Sequence, residues 1–189
     1  MKCSICGKEL SRYGNIKLSD GFMCRDCASL KSTWLTSKIC ENISVTKMIE
    51  HLNYRKDNFE RLKDFKDEVR VVGKYTLYIN KEDRTFVISK RKDFRANNDD
   101  ILLADEVSDI SINEERYKQS DYVNIVMKIK LDNSNIPFVS FVVNEFGAIE
   151  KDSDIYNETF NKAKEYYDAL NQSARKPTTF RWWDEWCSV

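Results

Sequence analysis

Residues 3–27 read CSICGKELSRYGNIKLSDGFMCRDC and contain four cysteines in two Cys-x-x-Cys pairs. Cys3 and Cys6 form the first pair, and Cys24 and Cys27 form the second, with seventeen residues between the pairs. Two residues between thiolates allow one tight turn to present both sulfurs to one ion, and this spacing is typical of structural zinc sites with four cysteine ligands. The stretch therefore predicts one structural Zn²⁺ ion close to the N-terminus.

The residues around the cysteines predict a knuckle, a hairpin and a helix. Gly7 directly follows Cys6 and permits the positive φ that such a knuckle requires. Asp20-Gly21 is a turn signal between two short strand-like pieces. Residues 27–39 then show helical apolar spacing, so the second pair is expected at a helix start, where the helix dipole favours thiolates. Together these features indicate a zinc ribbon or treble-clef-like module over residues 1–40, whose folding depends largely on the metal.

Two other uses of the cysteines fit the sequence less well. A thioredoxin-like redox site has one Cys-x-x-Cys beside a βαβ pattern, and no such pattern accompanies these pairs. A catalytic zinc site keeps an open coordination position, whereas four thiolates fill the shell. Structural zinc is the favoured interpretation.

The same residues resemble a known family. CSICGKEL (3–10) and KLSDGFMCRDC (17–27) are similar to the two ends of an uncharacterised family of small bacterial zinc-binding domains. Its members begin with Cys-x-x-Cys-Gly-Lys and end with Asp-Gly-aromatic-x-Cys-x-Asp-Cys. The resemblance covers about 40 residues and implies zinc binding at all four cysteines. It also implies a following PH-like domain, and it brings no enzymatic activity.

Composition and charge limit the possible functions. Lys plus Arg equals Asp plus Glu at 31 each, but residues 1–40 hold seven basic against three acidic side chains. Four thiolates with one Zn²⁺ reduce that excess of four to about two, so charge alone does not predict nucleic-acid binding. No secretory leader and no membrane-length apolar segment is visible in the sequence, which predicts a cytoplasmic protein with reduced cysteines that does not cross a membrane.

The rest of the chain predicts a long helix and then a β-rich domain. Residues 41–66 carry an amphipathic connecting helix with Ser44 as its N-cap and with Ile49 and Phe59 in its apolar stripe. The lone His51 is expected on its surface or in packing. Residues 67–177 change to a period of two in six or seven strand-like segments and end in a helix over 152–174. We predict an α+β fold in which a PH-like antiparallel β-barrel with a C-terminal helix follows the zinc module. A generic sheet covered by one helix is the alternative.

One basic loop and one aromatic tail are candidate binding sites. The loop after one strand offers a site for anionic ligands, namely lipid headgroups or nucleic acid, although a solvated loop is the commoner role. Its candidate residues are Lys90, Arg91, Lys92 and Arg95. A tail over residues 178–189 is rich in tryptophan and forms either an interface or part of the core, with three indoles able to share a helical face. Its candidate residues are Phe180, Trp182, Trp183 and Trp186.

The remaining reactive side chains do not form a catalytic set. The acids of residues 99–109 are expected to face solvent, because no spaced histidine or phosphate-binding loop accompanies them. Cys40 is expected to be buried, and Cys187 is read as an incidental tail residue. We therefore predict a non-enzymatic zinc-containing adaptor that recognises a protein partner. The alternative is a binder of anionic lipid or nucleic acid that uses the zinc module and the 90–95 loop.

Overall fold

The computed structural model describes residues 1–90, 93–117, 120–133 and 135–174, together with the backbone of residues 182–184. The chain is mixed α and β. A small cysteine-containing module comes first, a long helix follows, and antiparallel sheets with a covering helix complete the described part.

The N-terminal module contains the predicted hairpin. Strands β1 (Ile16–Lys17) and β2 (Phe22–Met23) pair antiparallel, which confirms that prediction. A side chain on Gly21 has no room, since a Cβ there lies 2.5 Å from Ser4 Oγ and 2.8 Å from Val45 Cγ2. The hairpin turn therefore packs directly against the cysteine knuckle and the start of the next long helix.

The prediction of one helix through residues 27–39 is wrong. Helix α1 (Arg25–Ser29) ends early, and a separate turn of helix, α2 (Ser37–Cys40), begins after a break. In the break, the Ser32 hydroxyl accepts a hydrogen bond from the Trp34 N–H at 3.1 Å. The Thr36 hydroxyl accepts another from Ile39 N–H at 3.3 Å. These hydroxyls satisfy backbone donors locally and so replace helical hydrogen bonds.

Helix α3 (Val45–Asp64) begins where the sequence predicts, with the Ser44 hydroxyl accepting from the Lys47 N–H at 3.3 Å. Its buried face differs from the predicted apolar stripe. Ile49 and Phe59 are exposed, whereas three polar residues are buried beside the expected apolar ones. The buried polar residues are His51, Arg55 and Asn58.

Two separate sheets follow α3. The first has the order β3-β4-β5-β6 and is antiparallel throughout. Its strands are β3 (Val69–Val71), β4 (Thr76–Asn80), β5 (Thr85–Ser89) and β6 (Leu102–Leu103). A short 3₁₀ turn at Ala104–Glu106 leads into the second sheet. The described pairings leave these sheets separate, without a closed barrel.

The second sheet is built on two ten-residue strands, β7 (Val107–Arg116) and β8 (Tyr122–Leu131). β9 (Phe138–Val142) and β10 (Ile149–Glu150) both pair antiparallel with β8. The backbone of β11 (Trp182–Asp184) pairs in parallel with β7. Helix α4 (Asp154–Ser173) is capped by Ser153, whose hydroxyl accepts from the Tyr156 N–H at 3.1 Å.

The main core lies between the sheets and α4. Phe86, Ile110 and Met127 from the strands are fully buried with Ala163 and Tyr166 from the helix. The Tyr166 hydroxyl also donates to the backbone carbonyl of Tyr75, which ties α4 to the loop before β4. No helix in the described ranges is long and apolar enough to cross a membrane.

Candidate metal centre

The four predicted ligands come from a knuckle and from a helix start. In the knuckle, the Cys3 N–H donates to Lys8 O at 2.7 Å, and the Gly7 N–H donates to Cys3 O at 2.9 Å. Gly7 has φ +75°, the conformation for which a glycine is favoured at this position. Cys24 occupies the N-cap position of α1, and Cys27 lies within that helix.

The four thiols form one compact cluster. All four Sγ atoms lie within 4.8 Å of one another. Cys6 Sγ and Cys24 Sγ are 3.7 Å apart. A tetrahedral zinc site with Zn–S bonds of about 2.3 Å has S–S separations of about 3.8 Å. The donor set and its spacing therefore fit a tetrahedral zinc ion held by Cys3, Cys6, Cys24 and Cys27.

The electrostatics of the cluster also favour a cation. Burial acts to raise the pKa of Cys3, but backbone N–H groups of Cys6, Cys24 and Ile5 outweigh it and lower that pKa to about 6. The N–H of Cys24 lies 3.3 Å from the Cys3 sulfur. Burial and the neighbouring thiols raise the pKa of Cys27. The Cys3 thiolate is thus stabilised, whereas ionisation of Cys27 beside the other thiols is unfavourable. A bound Zn²⁺ compensates the negative charge and makes that ionisation favourable.

The module closes on the first half of α3. Leu18, Met23 and Leu35 of the module share a buried cluster with Met48 and Leu52 of the helix. Cys40 is fully buried in the same cluster, as predicted, and burial raises the pKa of its thiol. The fifth thiol therefore serves packing, while Cys187 lies outside the described residues.

A buried polar network connects the module, α3 and the loop before β6. Arg55 Nη1 forms an ion pair with Asp100 Oδ1 at 2.6 Å, and its Nε donates to Leu30 O at 3.3 Å. The Ser32 hydroxyl donates to Asp100 Oδ2 at 2.6 Å, and the Ser32 N–H donates to His51 Nε2 at 3.0 Å. Sequence reasoning missed this network because its members are 19 to 68 residues apart in the chain.

The acidic stretch does not match its prediction. Asp99 and Asp100 are buried, although the sequence predicts solvent-facing acids. Asp105 forms an ion pair with Arg84 at 2.7 Å, and Glu106 accepts a hydrogen bond from Asn133 at 2.6 Å. Within the described part of the chain, the four-cysteine cluster is the one group of His, Cys, Asp or Glu side chains that could hold a metal.

The basic candidates separate into different roles. Arg95 donates from Nε to Leu62 O at 3.2 Å and from Nη2 to Phe65 O at 2.5 Å. It therefore binds the carbonyls at the end of α3, and the structure does not place its guanidinium beside an anion site. The exposed Lys90 lies at the end of β5 and lines a cavity. Arg91 and Lys92 lie outside the described residues.

The aromatic tail is described in part. Trp182 and Trp183 pair through their backbones with Ile112 and Asn113 of β7, so the backbone of this segment is extended and not helical. Phe180 and Trp186 lie outside the described residues. Residues 182–184 therefore pair with the chain's own second sheet through their backbone.

The module and α3 together form an exposed apolar groove, which we call the module groove. It is lined by apolar and polar residues of the module and α3, together with Asn98 of the loop before β6, and has a volume of about 570 Å³. Its three most exposed apolar side chains are Leu30, Ile49 and Phe59, at 57%, 40% and 45% exposure. The sequence pattern places Ile49 and Phe59 in the core, so this surface was not predictable from periodicity.

Comparison with known proteins addresses the N-terminal part. A family model described as a domain of unknown function (DUF4428) matches residues 2–51. The match includes all four cysteines and extends into α3, beyond residue 40. No curated protein and no solved structure matches the chain. The family match and the cysteine geometry together support a small zinc-binding module at the N-terminus.

Proposed function

We propose that the protein is a zinc-containing adaptor that recognises a protein partner through the module groove. The observation that carries this proposal is the exposure of Leu30, Ile49 and Phe59 around one concave surface. Contiguous apolar surface with a polar rim is typical of interaction sites. The zinc ion has a clear purpose in this proposal, since it holds Leu30 and the knuckle residue Ile5 against α3 to complete the groove.

The dimensions of the groove suit a short helix. Ile49 and Phe59 mark its two ends on α3, and ten residues of helix rise about 15 Å. Two to three turns of an amphipathic partner helix span that length, with apolar residues at i, i+3, i+4 and i+7. Lys56 lines the groove without an ion pair in the described part of the chain, whereas Glu60 is bound to Lys63. A partner with an acidic residue beside its apolar stripe therefore complements this surface.

The proposed adaptor is not an enzyme. Four cysteine thiolates fill the coordination shell of Zn²⁺, so the ion has no position for substrate or activated water. The buried charges of Arg55 and Asp100 neutralise each other at the junction of three segments, and of the two only Arg55 lines the groove. We further propose a reducing compartment, the cytoplasm, because the thiol cluster binds metal only while reduced.

For the C-terminal part we propose a PH-like fold. Four strands form the first sheet, β7, β8 and β9 form most of the second, and α4 follows them. The order of a four-stranded sheet, a second set of antiparallel strands and then a helix supports the proposal. In this proposal, the buried network around Arg55 and Asp100 attaches the zinc module to the PH-like part.

The test is capture of the partner by tagged full-length protein, with nuclease present and salt increased in steps. Phe59→Glu is the test variant. Phe146→Glu is its matched control, because Phe146 is 87% exposed and lies outside the module groove. We expect the wild type and the control to retain a stoichiometric protein at high salt, and Phe59→Glu to lose it while still binding one zinc ion.

Two results contradict the proposal. Retention of the same partner by Phe59→Glu removes the groove from recognition. Recovery of lipid or nuclease-sensitive material alone, lost as salt rises, supports the alternative function of anionic-ligand binding.

A further inference from the structure

A second cavity lies at the junction of the module and the sheets, and we call it the interface pocket. Its walls come from the segment 33–39, the loop before β4, the end of β5, the 97–99 loop and β9. The volume is about 570 Å³, within the range of about 300–1,000 Å³ that is usual for small-molecule sites. Such sites are frequent where two structural units meet.

One wall of the interface pocket is aromatic. The rings of Trp34 and Tyr75 lie 6.2 Å apart at 34°. Phe141 supports Tyr75 from the sheet side, with ring centroids 5.0 Å apart. Phe138 and Ile88 extend the apolar surface within the pocket. A planar ring can pack on this wall, because aromatic pairs gain stability in offset or tilted arrangements.

The interface pocket also contains polar groups that can form hydrogen bonds with a ligand. Lys90 Nζ, the Ser140 hydroxyl and the Thr33 hydroxyl have no hydrogen bond or ion pair to any residue that the structure describes. Other polar side chains of the pocket are used internally. The Thr36 hydroxyl caps α2, and Asn97 Nδ2 donates to Asp99 Oδ1 at 2.5 Å. Among the described residues, the pocket therefore offers one cation and two hydroxyls to an incoming group.

The aromatic wall and the ammonium group of Lys90 together indicate the class of ligand. The wall can hold a planar ring, and Lys90 Nζ can pair with a carboxylate. We propose that the interface pocket binds a small aromatic carboxylate, with its ring on Trp34 and Tyr75 and its carboxylate on Lys90.

The test uses 2-naphthoate as the probe and the zinc-loaded full chain as the protein. Binding is followed by NMR through amide shifts of residues that line the interface pocket. We expect saturable binding at a single site below about 1 mM. Lys90→Met removes the cation while keeping the chain length, and we expect it to weaken binding about fivefold. Lys38→Met is the matched control, because Lys38 is an exposed lysine on α2 that does not line the pocket.

One further probe separates ring from charge. 2-Naphthalenemethanol has the ring without the carboxylate, and we expect its weaker binding to be insensitive to Lys90→Met. The inference is overturned by an absence of saturable binding, by equal affinities of Lys90→Met and wild type for naphthoate, or by shifts confined to the module groove.

Discussion

Arg55 and Asp100 are distant in sequence and form the ion pair on which the junction of three segments depends. Both side chains are buried, and Asp100 also accepts from Ser32. Burial raises the pKa of Asp100, while the Arg55 guanidinium and the Ser32 hydroxyl act in the opposite direction. The pair therefore owes its charged state to its partners, and loss of either partner leaves the other unsatisfied in the interior.

Substitution Asp100→Asn tests this dependence. Removing one member of a buried pair costs about 3 kcal/mol of unfolding free energy, because the Arg55 charge stays buried without compensation. Urea denaturation of the zinc-loaded protein measures the loss. Glu60→Gln is the control, since its pair with Lys63 is exposed and contributes little. Equal stabilities of the two variants contradict the proposed role of the network.

The environment of His51 leads to a separate prediction about how the stability of the fold depends on pH. Burial, together with the positive charges of Arg55 and Lys31, lowers the pKa of His51 to about 4, against about 6.5 in an unfolded chain. The neutral ring accepts from Ser32 N–H and lies beside the ring of Tyr54, at 5.9 Å between centroids. Above pH 6.5 the residue is neutral in both states. As pH falls from 6.5 to 4 the unfolded chain binds the proton first, so stability decreases, by at most about 3 kcal/mol.

The variant His51→Gln isolates this effect from other acid-sensitive groups. Zinc–thiolate bonds also weaken in acid, but this loss is common to both proteins. We therefore expect the stability difference between wild type and variant to shrink as pH falls from 6.5 to 4. Chemical denaturation at several pH values measures it. A difference that is constant over this interval shows that His51 does not change protonation on unfolding there.

Among the elements, α3 shows how much could be predicted from sequence. Its start at Ser44 follows from a local rule for caps, and the rule holds. Its buried face does not follow from apolar spacing, because the loop before β6 covers Arg55 and Asn58 with polar partners. Apolar spacing also fails in residues 27–39, where it predicts one helix. There the helix is interrupted, and Ser32 forms a hydrogen bond with Asp100, 68 residues away in the chain. Local patterns predict elements, whereas such distant pairings decide which faces are buried.

The cap of α3 is testable as an element. Ser44→Ala removes the acceptor for the Lys47 N–H, and we expect a loss of about 1 kcal/mol in unfolding free energy. Thr46→Ala, an exposed substitution in the first turn of the same helix, should change stability little. Hydrogen exchange locates the effect at the first turn of α3. A uniform change over the whole chain instead contradicts a local capping role.

At the scale of the molecule, the two cores differ in what holds them together. The module's cluster is small and depends on α3 and on the cysteines, whereas the core of the sheets and α4 is far larger. The cysteines could be predicted because their spacing is local. The interface pocket could not, because five separate segments line it and only the fold brings them together.

Removal of the metal should therefore disorder one part and spare the other. We expect a strong zinc chelator to increase amide exchange at least about tenfold in residues 1–35 and in the first half of α3, since metal binding supplies much of the module's folding free energy. The effect should extend to the 97–101 loop, because Leu30 and Ser32 bond to Arg55 and Asp100. The amides of β8 and α4 should remain protected by their own core. Hydrogen exchange with mass spectrometry measures all three regions in one experiment.

The control for that experiment is the fifth described thiol. Cys40→Ser alters the buried cluster without removing a ligand, so this variant should still bind one zinc ion and respond to the chelator as the wild type does. Added zinc should restore protection in both proteins. If β8 and α4 lose protection together with residues 1–35, the chain unfolds as a single unit and the sheets depend on the metal. If the 97–101 loop keeps its protection while the module loses it, the network around Arg55 does not transmit the loss, and the metal stabilises the module groove alone.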